Sequence, residues 1–193
     1  YGVHIDWSDP SNPVVTCDGP VSQLEGTAVV SDPVTGAALI ISDGNNAYDG
    51  NHTPIPGATG LGGGPSSSQS AVISPVPGDP NQYWLFAVTE SGGPVYAHRL
   101  DVSVPDGASN VSLVESLAAF TNSADERATI MRHSNGIDYW LLYSNRTNGN
   151  VYSRLISGTT IGAEQVAYTL PSGTHDGWAA FVGYLIGSPD HSK

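Results

Sequence analysis

At 193 residues, with 39% hydrophobic residues, 23 Gly and 14 Pro, the chain suits one folded domain rich in turns rather than a disordered tail. Its 18 Asp and Glu against 6 Lys and Arg give a formal charge of -12, which repels phosphate backbones and anionic lipid surfaces alike. The composition therefore argues against nucleic-acid binding, and the longest apolar stretch, Trp178 to Ile186, is far short of the ~20 residues that cross a bilayer.

Val, Ile, Thr and Tyr outweigh the helix formers, and the chain reads as all-β. In chain order, the first hairpin is GTAVVSDPVTGAALIISDG (26–44), two apolar runs around a polar turn at Asp32 to Gly36. The second is SAVISPVPGDPNQYWLFAVT (70–89), turning at 77–81. The third, RATIMRHSNGIDYWLLYS (127–144), turns at Ser134-Asn135-Gly136, where Asn-Gly tolerates positive φ. A fourth begins at WAAFVGYLIGSPDHSK (178–193) and stops at its turn.

Third strands follow two of these hairpins with matching text, VYAHRLDVS from Val95 and VYSRLISGT from Val151, 56 residues apart. The turn residues Gly78 and Asn135 lie 57 apart, so hairpin and third strand repeat together. Repeats of this length, each a small antiparallel sheet, point to the four-stranded blades of a β-propeller. The expected blades are 22–60, 66–120, 121–172 and the start of one at 173–193, about three and a half blades of a partial ring within one domain, 1–193. A closed ring needs roughly 4–8.

The succession of motifs is Glu25-Gly26, Ser31-Asp32 with Gly36, Asn51-His52 with Pro56, and Ser67-Ser68-Gln69-Ser70. There follow Pro77-Gly78 with Pro80-Asn81, Tyr83-Trp84, His133 with Asn135-Gly136, Asp138 and Trp140, and Ser188-Pro189-Asp190 with Lys193. In this order they resemble the N-terminal propeller-like region of large secreted Bacteroidota surface proteins, commonly type IX secretion cargo with a gliding-motility-type or type B sorting domain. Departures are Trp84, where the pattern has Tyr, and His191, where it has Gly. The resemblance implies an extracellular, cell-surface location, a further strand after the last turn, and additional blades or domains of a larger protein.

Chemistry-bearing residues are sparse. The loop PGATGLGGGPSSSQS lacks the Gly-Lys-Ser/Thr of a phosphate cradle and reads as a connection between blades. Asp43, Asn45 and Asp49, with Asn46 and Asn51, give oxygen density suited to Ca²⁺, but the same residues form ordinary turns. The six His show no zinc spacing. His133 with Asp125 and Glu126 offers an acid/base cluster or a network tying strands, and the network is the expectation. Cys17 stands alone and is expected as a small buried apolar residue. Tyr48, Tyr96 and Trp178 are candidates for stacking on sugars, though blade packing uses the same residues.

The expectation is a non-enzymatic extracellular module that binds a surface glycan or another protein. A glycosidase-like propeller fragment and a purely structural scaffold stand as alternatives; no catalytic motif such as Gly-x-Ser-x-Gly is present.

Overall fold

The computed structural model describes residues 2–7, 9–121, 123–171 and 183–188, and these form fifteen strands and no helix. β1 (Gly2–Asp6) and β2 (Val14–Gly19) make a separate hairpin. β3 (Ala28–Ser31), β4 (Ala38–Ser42), β5 (Asn46–Asp49) and β6 (Pro54–Thr59) form a first four-stranded sheet in chain order. β7 (Ala71–Val76), β8 (Asp79–Val88), β9 (Val95–Asp101) and β10 (Ser112–Thr121) form a second. In the third, β11 (Ala124–Arg132), β12 (Tyr139–Asn145) and β13 (Asn150–Ser157) are followed by β14 (Thr160–Ile161) and β15 (Gln165–Thr169), both paired to β13. Every pairing is antiparallel.

The three hairpins expected from the sequence are formed, and their turn residues explain why. Asp32 Oδ1 accepts the N–H groups of Val34 at 2.8 Å and Thr35 at 2.7 Å, and Gly36 takes φ +76°. Asn135 Oδ1 accepts those of Ile137 and Asp138, each at 3.0 Å, with Gly136 at φ +77°. Both are side chains folding their own backbone.

β8 is the middle of the molecule. Its side chains alternate sides, as a strand requires. Trp84, Phe86 and Val88 pack toward the third sheet, against Ala128, Leu141 and Tyr143. Tyr83, Leu85 and Ala87 pack toward the first, against Ile40, Ala47 and Ile55. Burial on both faces removes the polar alternation from QYWLFAV and leaves a continuous apolar run. The first strands β3, β7 and β11 adjoin in succession, and β6 lies against β10.

Two expectations need correction. Cys17 is exposed on β2, because a two-stranded hairpin has no room to bury both faces. Gly183 to Ser188, read from the sequence as the end of a strand and its turn, belongs to no ladder. The backbone of Leu185 bonds a side chain instead. The rest of that segment, with Trp178, Pro189, Asp190 and Lys193, lies outside the described residues.

Candidate functional site

The residues 66–70 form a dense polar junction. The loop from β6 to β7 reaches it by crossing the β4–β5 turn, where Leu61 N–H donates to Asn45 O and Gly63 N–H to Gly44 O, each at 2.9 Å. Gly26 N–H donates to Ser67 O at 3.1 Å, and a Cβ on Gly26 would lie 2.7 Å from Ser68 O and Ser70 N. Only glycine permits that approach. On the other side Gln69 N–H donates to Glu126 O at 3.1 Å, while Gln69 Oε1 accepts Ala128 N–H at 3.2 Å and Leu185 N–H at 2.8 Å. One short segment thus touches the approach to β3, the strand β11 and the segment 183–188.

Two carboxylates meet there. Ser68 Oγ lies 3.0 Å from Glu25 Oε2 and 3.2 Å from Glu126 Oε2, and Glu126 Oε2 also accepts Ser68 N–H at 3.2 Å. A hydroxyl carries one proton and donates to one carboxylate at a time. Ser68 is 4% and Glu126 7% exposed, so Glu126 has little access to a substrate, whereas Glu25 reaches the junction from an exposed position. Beside it, buried Asp125 accepts from Arg127 Nε at 3.1 Å, from Arg127 N at 2.9 Å, and from the hydroxyl of Ser144.

His133 sits at the opposite end of β11 from Asp125 and Glu126, about 25 Å away at the rise of an extended strand. No acid/base cluster forms between them. His133 Nδ1 accepts Asn135 N–H at 3.1 Å, its ring lies 5.4 Å from Trp140, and Asn135 Nδ2 donates to Asp138 at 2.7 Å. The cluster His133, Asn135, Gly136, Asp138, Trp140 is a hairpin end.

Asp43 and Asp49 flank β5 at opposite ends, so they do not converge with Asn45 on one ion. Asp43 Oδ1 accepts the N–H groups of Asn45 and Asn46 at 2.9 and 2.6 Å. Asp49, 1% exposed, accepts four: Asn51 and Thr53 N–H on Oδ1, Ser109 Oγ–H and Asn110 N–H on Oδ2. Burial alone raises the Asp49 pKa, and these donors more than offset it, leaving the carboxyl below its ordinary value. Among the described residues no group of three or more His, Cys, Asp or Glu is arranged to hold a metal. Asn51 and His52 complete the same turn, His52 N–H donating to Asp49 O at 3.0 Å with φ +65°.

Of the aromatic candidates, Tyr96 packs over Gly62, whose added Cβ would lie 2.4 Å from the ring, and Tyr48 is half-buried on β5. Buried Tyr143 serves structure as well. Desolvation pushes its phenol far above the ordinary range, the Glu164 carboxylate adds to this, and Arg154 Nε donates to it at 3.0 Å.

A cleft absent from the sequence reading lies between the β1–β2 hairpin and the first sheet. It encloses about 750 Å³, with Trp7 and Asp6 on the hairpin wall and Val29, Ser31 and Ile41 on the sheet wall. The rings of His4 and His52 meet edge to face across it at 5.2 Å. Nothing in the spacing of GVHIDW and VVTCDG announces this, because the two walls come from segments that meet only in the fold. Comparison with protein-family models, curated proteins and solved structures finds no match to the chain.

Proposed function

We propose that this chain is a non-catalytic, propeller-type module of an extracellular bacterial surface protein, binding a glycan or protein partner. The observation that carries the reading is the stacking of three meander sheets face to face through successive first strands, β3 to β7 to β11, which is how propeller blades surround an axis. Exposed apolar side chains on the third sheet, Val166 and Tyr168, favour a further blade alongside. The motif succession that resembles Bacteroidota secreted proteins supports the surface location.

Support for the non-catalytic part is the use of the buried carboxylates. Asp49, Asp125 and Glu126 are each held by N–H or O–H donors of the protein itself. Incubation with a panel of neutral and acidic polysaccharides tests this: no new reducing ends are expected. Turnover abolished by Glu126→Gln or Asp125→Asn in a folded variant overturns it in favour of a glycosidase-like propeller.

A further inference from the structure

We infer that the cleft between the β1–β2 hairpin and the first sheet is a binding site for a neutral oligosaccharide, two or three sugar units long. The inference rests on the reading of the chain as a binding module and names its site and ligand class.

Size comes first. About 750 Å³ lies within the range of roughly 300–1,000 Å³ typical of small-ligand sites. The chemistry of the walls comes second. Trp7 keeps 61% of its surface exposed although it lines the cleft, and Val29 opposite keeps 58%. A large indole left in water beside apolar neighbours offers a platform for the C–H face of a sugar ring. Around that platform stand polar groups: Asp6 accepts hydrogen bonds, Ser31 and Thr35 both donate and accept, and the imidazoles of His4 and His52 do so according to tautomer. A purely apolar ligand would displace water from these groups and return no hydrogen bond, which costs affinity. A sugar, apolar on one face and ringed by hydroxyls, meets both needs.

Charge narrows the class. Among the described residues no Lys or Arg lines the cleft, Asp6 does, and Asp18 lies 4.0 Å from His4 Nδ1. Anionic sugars such as sialosides, uronates or sulfated chains would enter against like charge with no cation to receive them. The edge-to-face pair His4–His52 bridges hairpin and sheet, so the two walls are tied to each other.

The test uses the full chain and named probes: maltotriose, cellotriose, xylotriose and mannotriose as neutral ligands, and trigalacturonate and sialyllactose as anionic ones. Binding is read by saturation-transfer NMR and calorimetry. At least one neutral trisaccharide is expected to bind saturably and the anionic ones not. Trp7→Ala, at an exposed position, is expected to weaken that binding at least tenfold with the circular-dichroism spectrum unchanged. Val29→Lys blocks the same cleft from the opposite wall and is expected to do likewise, whereas Tyr184→Ala, outside the cleft, leaves binding intact. Neutral-sugar binding that survives both cleft variants overturns the site and spares the module reading. Equal binding of anionic sugars overturns the ligand class. Binding of no sugar overturns the inference, and the module reading then stands or falls on its own turnover assay.

Discussion

Gln69 and Leu185 exchange two hydrogen bonds: the side-chain Oε1 accepts the Leu185 N–H at 2.8 Å, and Nε2 donates to the Leu185 carbonyl at 3.3 Å. An amide side chain here stands in for the neighbouring strand that Leu185 lacks. The same Oε1 holds Ala128 N–H at 3.2 Å, so one residue ties β11 to the segment 183–188.

Gln69→Ala removes the acceptor of two N–H groups and is expected to cost about 2 kcal/mol. Gln69→Glu keeps the acceptor but sets a carboxylate oxygen against the Leu185 carbonyl, so it is expected to destabilise as well. Urea denaturation gives the stabilities, and hydrogen exchange in peptides covering 183–188 rises in the Ala variant. Unchanged exchange there would show that the latch is idle.

Two glycines separate contact from conformation. Gly26→Ala drives a Cβ to within 2.7–2.8 Å of backbone atoms of Ser67, Ser68 and Ser70, so the junction must move. Gly36→Ala meets nothing within 4 Å and costs only the strain of φ +76°, about 1 kcal/mol. Thermal unfolding of the two variants is expected to differ several-fold in the loss of stability, with Gly26→Ala the larger.

This contrast shows what the sequence could convey. Turn chemistry is local, so Asp32 with Gly36 and Asn135 with Gly136 announced their hairpins from neighbouring residues alone. The run QYWLFAV was legible as the second strand of its hairpin, though not which sheets it would lie between. Glu25, Gly26 and Gln69 stood out as a pattern, but their meeting with Glu126 and Leu185 depends on segments up to 116 residues apart, which spacing cannot express. The β1–β2 hairpin escaped notice because its side chains are largely exposed on both faces, so no hydrophobic alternation marks it. The cleft it builds escaped with it.

His98 is 5% exposed, its Nδ1 2.8 Å from Ser116 Oγ and its Nε2 2.9 Å from Leu61 O. A carbonyl accepts only, so Nε2 carries a proton, while the Ser116 hydroxyl can donate to or accept from Nδ1. Burial lowers its pKa below the ordinary 6.5, and the bond to Leu61 offsets this in part. The folded chain therefore binds fewer protons than the unfolded one below about pH 6.5. The His98 contribution is complete above that pH, is lost as pH falls toward the folded-state value, and is constant below it. Stability measured from pH 7.5 down to 5 is expected to fall, and His98→Gln is expected to flatten that slope. An unchanged slope in the variant would place the titration elsewhere.

Asp49→Asn keeps one acceptor but turns an amide toward Ser109 Oγ–H and Asn110 N–H, leaving these donors facing a donor. A loss of about 2 kcal/mol is expected. Because backbone N–H groups occupy Asp43 and Asp49, excess calcium or EDTA should leave the wild-type unfolding midpoint unchanged. A midpoint rising with calcium concentration, as binding to the folded state demands, would contradict that.

The most direct test of the account is amide exchange along β8, the strand on which first and third sheets both pack. Leu85, Phe86, Ala87 and Val88 are 0% exposed and paired on either side to β7 or β9, so their amides should be among the slowest in the chain, far slower than those of β2 or β15. Exchange in β8 as fast as in those exposed strands would mean that the sheets do not stack through it, and the module built on that stacking would fall.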